Sequence, residues 1–254
     1  MIIANFKSNV VNFDRWAEDF INSCPPVMFN VGVALPSIYI TQYSLGIEHW
    51  PDEDNLENDF SRMAIGAQDV DHSSGSRTGA ISIEMLDEVG VEFVIIGHSE
   101  RREFFHEDND LIRKKIQAVN ESKIATTILC IGETKEENKM GATKDVLKNQ
   151  LSVIDGFDLG KNFTIAYEPV WAIGSGQTPE PKDINEIHKY IKDVVQSVST
   201  NNHVPDVLYG GSVTDKNAES FFNEEFVDGA LVGGASLDGT TFANIVNIWR
   251  ENII

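Results

Sequence analysis

Ala125-Thr126-Thr127-Ile128-Leu129-Cys130-Ile131-Gly132-Glu133, a helical stretch, and then Phe163-Thr164-Ile165-Ala166-Tyr167 form the segment on which the fold turns. Both ends are short runs of apolar and β-branched residues without regular polar alternation, the pattern of a strand buried on both faces. Between them, Val146-Leu147-x-x-x-Leu151-x-x-Ile154 spaces apolar residues three and four apart, as on the buried face of a helix. Strand, helix, strand in that order is one unit of a parallel sheet.

The same unit recurs on either side. Apolar runs stand at residues 2–4, 31–34, 63–66, 93–97, 207–209 and 229–232. Helical spacing returns in Leu111-Ile112-x-x-x-Ile116-x-x-Val119 and in Ile184-x-x-Ile187-x-x-x-Ile191-x-x-Val194. Between residues 35 and 56 the only helical stretch is a short one at 38–43. Strand and helix alternate about eight times, and no Pro/Gly/Ser linker divides the chain. The expected architecture is therefore α/β, a closed (β/α)8 TIM barrel forming a single domain over residues 1–254.

Composition removes whole classes of function. Forty acidic residues against twenty basic ones give a net charge of −20, a field that repels nucleic-acid phosphates and anionic membranes. Cys24 and Cys130 are the only cysteines and lie far apart, so neither a disulfide framework nor a zinc knuckle is expected. Six histidines show no metal spacing, no phosphate-binding Gly-x-x-x-x-Gly-Lys-Ser/Thr occurs, and the start of the chain lacks a secretory signal. The expectation is a cytoplasmic protein with no nucleic-acid or membrane partner; if an enzyme, it works without metal or cofactor.

A parallel barrel carries its chemistry on the loops after the strands. Glu168 closes the 163–167 run and is followed by Pro169-Val170-Trp171-Ala172-Ile173-Gly174-Ser175-Gly176, a loop with a large aromatic and two glycines. A strand-end glutamate is commonly just solvated or ion-paired. Under a closing flap, however, desolvation makes a carboxylate a general base. His98, after Ile95-Ile96-Gly97, is placed to donate to a carbonyl and to pass protons between neighbouring oxygens. Arg101 and Arg102 read as structural, one of them pairing with Glu107 or another acid. Lys7, isolated in an apolar strand of an acidic chain, would bring positive charge to the mouth for an anionic ligand. Gly210-Gly211-Ser212 and Gly233-Gly234 follow the last two strands, where barrels bind phosphate through backbone N–H groups.

Taken together the blocks resemble one family, triosephosphate isomerase. The resemblance rests on Ala4-Asn5-Phe6-Lys7, Ile96-Gly97-His98-Ser99-Glu100-Arg101-Arg102, Cys130-Ile131-Gly132-Glu133, the 166–176 lid block, 209–213 and 231–237, all in order. It implies interconversion of dihydroxyacetone phosphate and D-glyceraldehyde 3-phosphate, both phosphorylated trioses. It makes Glu168 the base and His98 a neutral electrophile, a pairing for which this family is itself the standard example. Asn5 and Lys7 would contact substrate. Gly174, Ser212, Gly233 and Gly234 would hold the phosphate, with Ser99, Glu100 and Cys130 in support. It also implies a homodimer through loop 69–80. There Arg77-Thr78-Gly79-Ala80 replaces the usual aromatic-Thr-Gly-Glu, and past the lid Pro179 follows Gln177-Thr178 where a lysine and a small residue are usual. Two alternatives stay open: a non-catalytic barrel that binds sugar phosphates or partner proteins, and an isomerase of another phosphosugar. Binding alone would require only the glycine turns, without Glu168, His98, Lys7 and the lid.

Overall fold

The computed structural model describes residues 1–24, 30–47, 63–160, 162–173, 178–202 and 204–253. The first half runs β1 (Ile2–Asn5), α1 (Phe13–Ser23), β2 (Val31–Leu35), α2 (Ser37–Ile47), β3 (Ala64–Ala67), α3 (Ile83–Glu88), β4 (Phe93–Ile96), α4 (Ser99–Phe104) and α5 (Asn109–Asn120). The second half runs β5 (Thr126–Ile131), α6 (Lys135–Lys139), α7 (Thr143–Leu151), β6 (Phe163–Tyr167), α8 (Pro181–Val198), β7 (Asp206–Tyr209), α9 (Ala218–Phe222), β8 (Gly229–Val232) and α10 (Gly239–Ile253). Each strand pairs in parallel with the next, and Ile2 of β1 pairs with Ala230 of β8, so the sheet closes into a barrel. The expected (β/α)8 barrel is what forms.

Side chains sort by the two-residue period of a strand. Ile2 and Ala4 face outward into the layer shared with the helices, while Ile3, Ala34, Phe93, Ile95, Ile128, Cys130, Ala166, Leu208 and Leu231 fill the barrel interior. Phe93 occupies so much of that interior that a Cβ on Gly66 would lie 2.1 Å from its ring. The neighbouring strand must be bare there for the barrel to close around the aromatic.

The helices carry stripes at the expected spacing, but on α8 Ile187 and Val194 are half-buried and their neighbours His188 and Val195 are buried instead. Ile184, His188, Ile191 and Val195 are the buried face of α8, which begins with Pro181 in its first turn, where a missing N–H costs nothing. Asp108 caps α5 by accepting from Leu111 N at 2.8 Å, and Thr134 with Glu137 forms a capping box on α6. One expectation is corrected: the short helix at 38–43 is longer, α2 spanning Ser37–Ile47, with Ile40 and Tyr43 turned into the core. Among the described residues no helix is long and apolar enough to cross a membrane.

Candidate active site

The period that fills the barrel also aims the site. Two residues beyond the interior set Ile3, Ile95, Cys130, Ala166, Leu208 and Leu231 come Asn5, Gly97, Gly132, Glu168, Gly210 and Gly233, at the carboxyl rim. A cavity of about 320 Å³ opens there, and its wall includes Asn5, Lys7, His98, Glu168, Ser212, Gly233 and Gly234. The structure thus brings together seven of the expected site residues from five strand ends. Gly174 and the rest of the lid tip, 174–177, lie outside the described residues.

His98 leaves β4 through Gly97, whose φ of 71° a side chain would resist. It then serves as the N-cap of α4: its Nδ1 accepts the N–H of Glu100 at 3.2 Å, a role usually filled by Ser, Thr, Asp or Asn. An Nδ1 that accepts carries no proton, so in this arrangement the ring proton sits on Nε2. That nitrogen lies 2.9 Å from Glu168 Oε1. Glu168 is 2% exposed, and its carboxylate also accepts from Ser99 N at 2.9 Å and from Ser99 Oγ at 3.3 Å. Burial alone would push this carboxyl up; the facing His98 ring and the Ser99 N–H outweigh it and hold Glu168 below the usual carboxylate range. Burial likewise drives His98 down, and the Glu168 carboxylate pulls it up by more. A second ring proton, on Nδ1, would face the Glu100 N–H but lie on a nitrogen 3.7 Å from Glu100 Oε2.

Lys7 is the one Lys or Arg in the described wall of the cavity. Its backbone sits at φ 49°, a region costly for a non-glycine residue, and is tied down from two sides. Lys7 N donates to Asn5 Oδ1 at 3.0 Å, and Gln68 Nε2 donates to Lys7 O at 2.9 Å and to Ala34 O at 3.0 Å. Its Nζ donates to Glu100 Oε1 at 2.6 Å, which fixes the long side chain beside His98. Cys130, fully buried below the rim, keeps its proton because burial, and then the Glu168 charge, push the thiol well up.

Surrounding groups hold these side chains in place. Arg101 bonds Glu107 Oε1 at 2.6 Å and Asp69 Oδ2 at 2.8 Å, and Lys115 reaches both acids at 2.6 Å, so this arginine is structural as expected. Arg102 donates to Gly97 O at 2.9 Å and to Cys130 O at 3.3 Å. Glu133, with no exposed surface, accepts from Tyr167 Oη at 3.0 Å and Trp171 Nε1 at 2.7 Å, anchoring the start of the lid segment. On the opposite side Ser212 Oγ donates to Ala172 O at 3.1 Å. Sequence reasoning gave no role to Gln68 or Glu133. The only signal available was their position directly after an apolar run. Among the described residues no group of three or more His, Cys, Asp or Glu is arranged to hold a metal ion.

Comparison with known proteins gives the same direction as the geometry. The family model described as triosephosphate isomerase matches residues 1–249. A triosephosphate isomerase of Alkaliphilus metalliredigens is 44% identical over 193 residues, 74% of this chain and 77% of the relative. Those of Proteus mirabilis and Erwinia tasmaniensis are 42% and 41% identical, covering 87% and 85% of this chain and 84% and 82% of their own. A match that runs almost from end to end, on a closed barrel whose rim gathers the expected side chains, leaves one assignment: the chain belongs to the triosephosphate isomerase family.

Proposed function

We propose that the chain, as one barrel domain over residues 1–254, interconverts dihydroxyacetone phosphate and D-glyceraldehyde 3-phosphate through an enediolate. Glu168 takes the proton from the carbon beside the carbonyl and returns it to the neighbouring carbon. His98 donates Nε2–H to the carbonyl oxygen and then serves the second oxygen. Lys7 offsets the negative charge that develops, and Ser212, Gly233 and Gly234, with Gly174 beyond the described residues, receive the phosphate. The observation that carries this reading is the 2.9 Å contact between His98 Nε2 and the buried Glu168 carboxylate in one cavity with Lys7. In that contact the Nε2–H is taken by Oε1, while Ser99 N holds Oε2 and Ser99 Oγ also reaches Oε1. An arriving carbonyl must take over the Nε2 proton, and in doing so it removes the His98 contact from Oε1; the Ser99 bonds must also give way before the carboxylate can reach the substrate carbon. A coupled assay on wild type and Glu168→Ala tests the reading. The variant is expected to lose at least about 10²–10⁴-fold in kcat while still binding inorganic phosphate; near-normal turnover would remove Glu168 as the base.

A homodimer is the second part of the proposal. Residues 69–71, Arg77 and 79–81, with Ser37, Phe105 and Glu107, line a cavity of about 470 Å³ away from the active site. Beside it Ile38 and Phe104 are 79% and 65% exposed, and Glu107 Oε2, though buried, has no partner among the described residues. Such a surface fits a second copy better than water. Arg77, standing where the family has an aromatic, pairs with Asp71 at 2.8 Å within its own loop, so the contacts made by that loop differ from the usual ones. Light scattering at micromolar concentration is expected to give twice 28.2 kDa; a fully active monomer would refute the dimer. Cytoplasmic location is part of the same proposal, supported by the reduced, widely spaced cysteines.

A further inference from the structure

Gly132 joins β5 to the loop beneath the base, and its surroundings are unusual. Toward β6, Ile131 O accepts Glu168 N at 2.7 Å and Glu133 O accepts Val170 N at 3.2 Å. By the alternation of a strand, the N–H and C=O of Gly132 point the other way, toward β4. But β4 has already ended: its last ladder pair with β5 is Ile96 with Leu129, and Gly97 O is taken by the Arg102 guanidinium. Without another partner both backbone groups of Gly132 would go unpaired at a half-buried site.

Gln150, at the end of α7, fills that gap. Its Oε1 accepts Gly132 N at 2.8 Å and its Nε2 donates to Gly132 O at 3.0 Å. A side-chain amide offers the same donor and acceptor as a peptide group, so Gln150 completes the ladder as a strand would. The other face of Gly132 rests directly on the base. A Cβ there would lie 1.7 Å from Glu168 O and 2.6 Å from Glu168 C. The peptide that Gln150 grips is the wall against which the Glu168 backbone stands, and any shift of it passes to the carboxylate.

We propose that Gln150 is a positioning residue for the reaction, fixing through Gly132 the place from which Glu168 works. The inference rests on Glu168 being the base. Only glutamine has the reach and the paired donor and acceptor: glutamate cannot donate to Gly132 O, and methionine makes neither bond. An ångström of misplacement at a reacting group can cost about 10²-fold in rate. Among the described residues the side-chain hydrogen bonds of Gln150 go to Gly132 and not to the glycine turns assigned to phosphate, so the loss should fall on kcat and spare KM.

The test compares Gln150→Met, Gln150→Glu and Glu168→Ala with wild type in steady-state assays over pH. Gln150→Met is expected to lose about 10- to 100-fold in kcat with KM within about twofold. The acid limb of kcat/KM should move to lower pH, because a displaced Glu168 no longer holds His98 above the usual imidazole range. Gln150→Glu, which keeps the volume and one bond, should fall between Gln150→Met and wild type, and supplies the readout if Gln150→Met does not fold. Leu147→Ala is the control: it hollows the buried face of the same helix while keeping the Gln150 amide that bonds Gly132, and should lower Tm while leaving kcat unchanged where the protein is folded. Wild-type kcat and pH profile in folded Gln150→Met, beside an inactive Glu168→Ala, would overturn the inference alone. An active Glu168→Ala would overturn the base, and the inference with it. A loss in Gln150→Met that only tracks the unfolded fraction, as Leu147→Ala would show, also overturns it.

Discussion

The two halves of the mouth are built on opposite principles. From β4 to β6 the rim is charged, buried and densely bonded: His98 caps a helix, Glu168 accepts three hydrogen bonds or contacts from its neighbours, and Arg102 and Gln150 fasten the strand ends beneath them. Across the ends of β7 and β8 the rim is Gly210-Gly211-Ser212 and Gly233-Gly234, where little but backbone lines the cavity. The difference follows from the two tasks. Moving a proton requires side chains with set protonation states and little freedom; holding a phosphate requires N–H groups that a ligand can approach without meeting a side chain.

Glycines on the two sides therefore have unlike duties, and replacing them should separate the tasks. At Gly132 an added methyl meets backbone that cannot give way, 1.7 Å from Glu168 O. Gly132→Ala is expected to cost about 3 kcal/mol or more in stability and to cut kcat sharply in whatever folds, measured by denaturant melts and assay. At Gly234 a Cβ has nothing within 4 Å, so Gly234→Ala should leave stability within about 0.5 kcal/mol of wild type and act on KM alone. A fall in kcat at Gly234 equal to that at Gly132 would erase the distinction between the halves.

Lys7 bridges them, since it faces His98 through Glu100 while its Cε comes within 3.4 Å of a Cβ built on Gly233. Lys7→Ala should weaken a phosphate-bearing inhibitor and slow turnover together, each by roughly 10- to 100-fold, the scale of a hydrogen bond to a charged group. Unchanged inhibitor binding would place Lys7 wholly on the acid–base side. Smallest of the expected effects is the acid limb of kcat/KM in the wild type. Because Glu168 holds His98 above the usual imidazole range while His98 and Ser99 hold Glu168 below the carboxylate range, kcat/KM should fall on the acid side as His98 gains its second proton, at or above about pH 6.5, with Glu168 still ionised. A limb below about 4.3 would mean that His98 does not gain that proton in the working enzyme.

Most of the rim was legible because strand periodicity carries over to it: the parity that buries Ala166 also points Glu168 inward, and both can be read from the run 163–168. The family's motif blocks added roles to those positions. What could not be read were contacts made by residues whose own neighbourhood is ordinary. Gln150 lies on an amphipathic helix and Gln68 in a loop, and only folding brings one to Gly132 and the other to the carbonyl of Lys7. The capping role of His98 was hidden for a different reason, since histidine is not among the residues usually sought at a helix N-cap. Helix α2 runs past the expected 38–43 through Ser44-Leu45-Gly46-Ile47, where a glycine interrupts the apolar spacing that marks a helix in sequence.

The central claim is that Glu168 itself moves a carbon-bound proton, and isotope exchange tests it without reference to net turnover. Dihydroxyacetone phosphate incubated in deuterium oxide with wild-type protein should acquire deuterium at the carbon bearing the hydroxyl, because a base that has taken the proton can exchange it with solvent before returning it. Glu168→Ala, confirmed to be folded and to bind inorganic phosphate, should incorporate none above the rate without enzyme. Incorporation by that variant at the wild-type rate would contradict the claim outright.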